Sequence, residues 1–126
     1  MIVKLLNDWK DKNIFDIAES FIYAYNPIKC SHWIIENMSD VEWIFGSYSY
    51  KCYSGSAFLL LKKHGKIFEV NGSHCSCYGL EDQWSPEETT LDAIRMRLEK
   101  GKLGMYDDED EFNTELVMFL KKIKEN

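Results

Sequence analysis

Residues that loosen or break structure are scarce in this chain. Only two prolines (Pro27, Pro86) and seven glycines occur in 126 residues, which excludes a linker-like or fibrous polymer. No apolar run approaches the length of about 20 residues that spans a bilayer, so no membrane segment is expected. The opening residues Met1 to Trp9 lack a charged lead-in, a sustained apolar stretch and a small-residue cleavage site. The chain is therefore expected to stay in the cytoplasm. Arginine is almost missing: Arg95 and Arg97 are the only two, and the lysines form no stripe. Phosphate contact needs a basic footprint, so direct nucleic-acid binding is not expected. A glycine-rich phosphate loop, a Gly-x-Ser-x-Gly elbow and a His-Glu-x-x-His pair are all missing, and no catalytic residue is assigned.

What is present is an ordinary globular composition, 45% hydrophobic and 29% charged, which predicts one domain over residues 1–126. The formal net charge of −6 is unevenly spread. Residues 1–80 carry eight basic and eight acidic side chains, whereas residues 81–115 carry four basic and twelve acidic ones. Such a segment either keeps the surface solvated or attracts a basic protein surface, including one that normally holds nucleic acid.

Hydrophobic spacing predicts a helix over Ile14–Tyr25, with Ile14, Ile17, Phe21 and Tyr25 in one stripe. Asn26-Pro27 should end it, and Ser31 should cap a short helix from His32 to Met38. From Val41 the pattern turns to alternation with aromatic residues (Trp43, Phe45, Tyr48, Tyr50, Tyr53), which suits a strand. Ser56–Lys63 and Lys66–Val70 then flank His64-Gly65, a two-residue turn. That turn sets Leu61 against Phe68 and Leu59 against Val70 on the core face, with Lys62 against Ile67 and Leu60 against Glu69 on the other. Asn71-Gly72-Ser73 should interrupt the second strand. Ser85-Pro86-Glu87-Glu88 has the make-up of a helix start, and Gly101 of its stop. A last helix is expected to begin within Asp107–Glu111, where negative charge favours a helix N-terminus, with the stripe Phe112, Leu116, Phe119, Leu120 and Ile123. The expected fold is α+β: an antiparallel sheet of three or more strands packed by N- and C-terminal helices.

Four cysteines (Cys30, Cys52, Cys75, Cys77) and no secretory signal imply reduced thiols. Cys30, His32, Cys75 and Cys77 form one candidate zinc set, because ligands two apart on extended chain point the same way. The single-residue spacing departs from the two to four intervening residues usual in structural zinc sites. A thiolate beside His32 or His74 is a second reading, as nucleophile and base. A Cys75–Cys77 redox pair is a third. The plainest reading is that small buried cysteines pack the loop against the sheet while His74 makes a loop hydrogen bond. No cofactor is required by any part of the sequence, zinc being the one to consider. Glu81, Asp82, Glu87 and Glu88 around Trp84 suit an acid/base pair or a hard-cation site, or simply the first turn of a helix.

The residues Tyr53-Ser-Gly-Ser-Ala-Phe58, Lys66-Ile-Phe-Glu-Val-Asn-Gly-Ser-His-Cys-Ser-Cys-Tyr-Gly-Leu-Glu81, Gln83-Trp84 and Pro86-Glu-Glu-Thr89 carry a resemblance. Over roughly residues 44–98 the chain resembles a group of small uncharacterised proteins of bacteriophages and prophages that share the Ser-His-Cys-Ser-Cys-Tyr-Gly-Leu-Glu string. The resemblance implies a phage or prophage origin and a setting inside the host cell, but no activity. Small acidic phage accessory proteins often bind host machinery stoichiometrically. A host protein with a basic surface is thus the implied partner, with an anti-CRISPR-like block of a defence nuclease as the sharpest form. Tyr78, Glu81, Asp82, Trp84, Glu87, Glu88, Asp107 and Asp108 are the expected contact residues. A zinc- or thiol-dependent protein built on Cys75 and Cys77, and a sponge for a small nucleotide signal, are the competing classes.

Overall fold

The two-residue turn at His64-Gly65 forms, with both residues in the left-handed region (φ 53° and 76°). A computed structural model describes residues 1–22, 26–51, 54–75 and 79–125. Strands β1 (Ile2–Asn7), β2 (Val41–Lys51), β3 (Ser54–Lys63), β4 (Lys66–Cys75) and β5 (Glu87–Thr89) form one sheet in that order. Register follows the turn: Leu61 faces Phe68, Leu59 faces Val70, Lys62 faces Ile67 and Leu60 faces Glu69. β2 and β3 are also antiparallel, with Ile44 opposite Leu61 and Phe45 opposite Leu60. The fold is α+β, with helices α1 (Ile14–Phe21), α2 (Pro27–Met38), α3 (Leu91–Glu99) and α4 (Asn113–Glu125). A two-stranded hairpin, β6 (Met105–Tyr106) with β7 (Glu109–Asp110), precedes α4. The chain divides into two compact units, Met1–Glu88 and Thr89–Asn126.

In the first unit, β1 runs parallel to β2, with Ile2 opposite Trp43 and Asn7 opposite Tyr48. A parallel pair needs a crossover, and α1 and α2 supply it. Asn13 caps α1 in a reciprocal box with Asp16, and Ile17, Ala18 and Phe21 are its buried side. One face of the sheet packs with these helices into a core of Ile17, Phe21, Met38, Ile44, Leu59 and Leu61, among others. Each fully buried aliphatic side chain there contributes about 1.5–3 kcal/mol. The opposite face is buried as well, through Trp43, Phe45, Phe58 and Leu60. The aromatic run of β2 is thus split by strand parity: Trp43 and Phe45 share one face, Tyr48 and Tyr50 the other.

Five expectations need correction. Asn26-Pro27 opens a helix: Asn26 accepts from the Ile28 and Lys29 amides, and Pro27 takes the first helical position, where its missing N–H costs nothing. Ser31 lies inside α2 and caps nothing. Strand β4 passes through Asn71-Gly72-Ser73 without a break, held by β3 along its full length. Glu87 and Glu88 sit in an edge strand, and Thr90 caps the helix that follows by accepting from the Ala93 amide. Pro86, which lacks an N–H, suits the entry to such an edge. Finally, the acidic run is a hairpin and not a helix start, with Asp107 and Asp108 as its left-handed turn residues (φ 49° and 64°). Ile94 and Leu98 are the buried side of α3. The expected α4 stripe is buried at Leu116, Phe119 and Leu120 and half-buried at Ile123, with Phe112 buried just before the helix. Gly101 stops α3 at φ 68°. Among the described residues no helix is long and apolar enough to cross a membrane.

Candidate functional site

Among the described residues, the Gln83 side chain fastens Gly79 to β4. The Gln83 amide oxygen accepts from the Ser73 N–H at 2.7 Å, and its Nε2 donates to the carbonyls of Ser73 (2.7 Å) and Gly79 (2.8 Å). It thereby supplies β4 with the donor and acceptor of a neighbouring strand. Asp82 turns the chain with a positive φ of 63°, and Leu80 is driven into the core. Trp84 follows as a packing residue. Its ring meets Phe21 edge-on at 5.2 Å and Trp33 at 4.7 Å, while its Nε1 donates to Asn37 Oδ1 at 3.0 Å. Of the expected contact residues in this unit, Asp82, Glu87 and Glu88 are exposed, Glu81 is half-buried and Trp84 is tied to the core. Tyr78 lies outside the described residues.

The structure separates the zinc candidates it describes. Cys30 and His32 stand two apart on α2, where side chains diverge by about 160°. Cys30 is fully buried, whereas His32 is exposed. The same-side argument holds for strands and fails here because this segment is helical. Cys30 and Cys75 are reduced thiols; Cys52 and Cys77 lie outside the described residues. Among the described residues no three His, Cys, Asp or Glu side chains gather as a metal site. His74 and Cys75 are neighbours on β4 and point to opposite faces, so His74 is not placed to deprotonate the Cys75 thiol.

His74 turns instead toward Tyr48 and Tyr50, meeting both rings edge-on at 5.9 and 4.7 Å. Its Nδ1 is buried and has no hydrogen-bond partner among the described residues, so the expected loop hydrogen bond is not made by that atom. A cleft of about 300 Å³ opens here between Tyr48, His74, Glu19 and Glu81. A second of about 320 Å³ shares Glu19, Ser20 and Tyr48 and adds Asp8 and Asp16. Burial raises the pKa of Tyr48 above its ordinary 10.0, and the negative charges of Asp8, of ionised Tyr50 and of Glu81 raise it further. Glu81→Gln should therefore lower the Tyr48 ionisation midpoint but leave it above the ordinary value, since burial remains. The carbon NMR shift of the Tyr48 ring across an alkaline titration reads this directly. The linked stability follows. Above about pH 10 the unfolded chain releases a phenolic proton that the folded chain keeps, so this contribution is lost as pH rises through the folded pKa.

In the second unit the acidic hairpin is the feature that stands open. Asp107, Asp108, Glu109 and Asp110 are exposed, and beside them Met105 and Tyr106 are 38% and 53% exposed. Among the described residues, the Asp110 carboxylate is the one of these four that makes a side-chain hydrogen bond, accepting from the Thr114 amide (3.3 Å) and the Thr114 hydroxyl at the start of α4. The hairpin is pinned at its base by the Gly104 carbonyl, which accepts from the amides of Glu111, Phe112 and Asn113 at 2.8–3.2 Å. Asn113 Nδ2 adds bonds to the Leu98 and Leu103 carbonyls at 3.0 and 2.8 Å.

The Gln83 clamp and the Tyr48 cleft escape a sequence reading because both depend on long-range register. The parity of Tyr48 and Tyr50 along β2 was the one available signal for the cleft. Compared with known proteins, the chain matches no family model, no curated protein and no solved structure.

Proposed function

We propose that this chain is a phage- or prophage-encoded accessory protein, working in the host cytoplasm by stoichiometric binding to a basic surface of a host protein. A defence nuclease, whose channel must be basic to hold nucleic acid, is the partner class its charge fits best. The observation that carries this reading is the β6–β7 hairpin. It presents three consecutive carboxylates, Asp107 to Glu109, that do not serve as a helix N-terminus, next to an exposed methionine and tyrosine. Charge steers encounter with a basic groove, and the apolar pair offers area that can be buried once docked. The resemblance of residues 44–98 to phage proteins supports the setting.

The tagged chain, purified from phage-infected host cells, is expected to bring down a nucleic-acid-binding protein in a one-to-one complex. Asp107→Lys combined with Asp108→Lys should weaken that complex by roughly a hundredfold at low salt, since two reversed charges remove attraction and add repulsion. Both are exposed turn positions with positive φ, which asparagine tolerates better than lysine. Asp107→Asn with Asp108→Asn therefore stands beside it and should weaken the complex about tenfold; circular dichroism checks the fold of both variants. An unchanged affinity at low salt overturns the reading.

A further inference from the structure

Among the described cations around the β3–β4 turn, one is held differently from its neighbours. Three basic groups around the β3–β4 turn pair with carboxylates: Lys62 with Glu42 (3.9 Å), His64 with Asp40 (3.3 Å) and Lys66 with Glu88 (3.7 Å). Lys63 has no carboxylate partner among the described residues. Its half-buried side chain instead donates to the carbonyls of Glu36 (3.2 Å) and Asn37 (3.4 Å) near the C-terminal end of α2. Those two bonds hold the ammonium and, among the described residues, leave one of its three N–H groups without an acceptor. A group ordered in this way has already lost its rotamer freedom before a ligand arrives.

Lys63 lines a cavity of about 380 Å³, together with Asn37, whose carbonyl its ammonium meets. Leu61, Phe68, Trp84 and Pro86 supply its apolar surface, the exposed Lys66 and His64 also line it, and among the described residues no carboxylate does. A cavity of about 150 Å³ lined by aliphatic and aromatic groups holds a benzene ring, so this one has room for two fused rings. Small-molecule sites have this make-up, with a mostly apolar lining and a few fixed polar groups that orient the ligand. The Lys66 charge adds attraction for an anion. Its ion pair with Glu88 is exposed and so holds it only weakly.

We infer that this cavity binds a small aromatic carboxylate, its rings against Phe68 and Trp84 and its carboxylate on the unused N–H of Lys63. The site is separate from the acidic hairpin, so it survives or fails independently of the proposed partner binding. It also differs in sign: it is an anion site on an acidic protein.

Three probes of one shape test it by titration with backbone NMR: 2-naphthoate, 2-naphthylmethanol and 2-naphthylmethylamine, carrying a negative, neutral and positive head. Naphthoate is expected to shift the amides of Leu61, Phe68 and Trp84 and to bind about tenfold more tightly than the alcohol, with the amine weakest. Lys63→Met keeps the stem and removes the charge, and should abolish the preference for the anion. Because Lys63 also satisfies carbonyls of α2, a second measurement stands beside it. In the unaltered protein, added salt should weaken naphthoate and leave the alcohol unaffected. Lys66→Gln should weaken naphthoate by only two- to threefold, consistent with an exposed charge. Equal affinity for the three heads, shifts elsewhere on the chain, or no shifts at millimolar probe overturns the inference.

Discussion

Gly104→Ala is expected to destabilise the hairpin and α4 by roughly 3–5 kcal/mol, far more than an alanine at a glycine normally costs. Gly104 sits at φ 77°, and a Cβ added there would lie 2.5 Å from the backbone nitrogen of Asn113 and 2.7 Å from its Cα. Neither atom belongs to a flexible side chain, so relief requires moving the backbone. The same carbonyl accepts three amides that open α4, and any shift of Gly104 weakens all of them at once. Gly65 provides the control. It has almost the same dihedral, φ 76°, but open space around its Cα, so Gly65→Ala should cost only about 1 kcal/mol. Amide hydrogen exchange, across α4 for Gly104→Ala and across β3 and β4 for Gly65→Ala, is the appropriate measure, because it reports local opening without assuming one transition for both units. Equal losses in the two variants would show that the dihedral, and not the contact with Asn113, sets the cost.

The contrast between these glycines also marks what a reader of the bare sequence can and cannot see. His64-Gly65 is legible because a two-residue turn and its flanking strands are local, and register then follows by counting. The stripes of α3 and α4 are legible for the same reason. Ser85-Pro86-Glu87-Glu88 misleads because Thr90 is a second cap five residues on. The choice between them is made by the open edge of β4, which takes Glu87–Thr89 as a strand. Asp107–Glu111 misleads in another way. Electrostatics favours carboxylates at a helix N-terminus, yet Asp is also among the few residues that tolerate φ > 0, and the hairpin uses that property. Strand β1 is invisible because a parallel partner 41 residues away leaves no local mark: Ile2 pairs with Trp43. Lys63 and Gln83 acquire their roles only through register and turns, and no short pattern announces them.

Trp84 is the residue whose expected role the structure changes most, and its substitutions should separate the two readings. Trp84→Ala is expected to cost about 3–5 kcal/mol, because it removes the ring between Phe21 and Trp33 and opens a cavity beside the core. A surface contact residue would lose binding on truncation while stability stayed within about 0.5 kcal/mol. Trp84→Phe keeps most of the ring contact and deletes the Nε1 donor to Asn37 Oδ1, for an expected loss of about 1–2 kcal/mol. Asn37 is itself held, since its Nδ2 donates to the Trp33 carbonyl at 3.0 Å, so its oxygen cannot readily turn away to find water. Much of the Trp84→Phe loss is then the cost of a carboxamide oxygen left without its donor, not the value of the bond. Asn37→Leu combined with Trp84→Phe removes both polar partners together. It should cost less than the two single changes added, by about 1 kcal/mol in a double-mutant cycle followed by urea denaturation. Strict additivity would show that the indole N–H and the Asn37 side chain are not coupled, and a Trp84→Ala loss within about 0.5 kcal/mol would return Trp84 to the surface role that its acidic neighbours suggested.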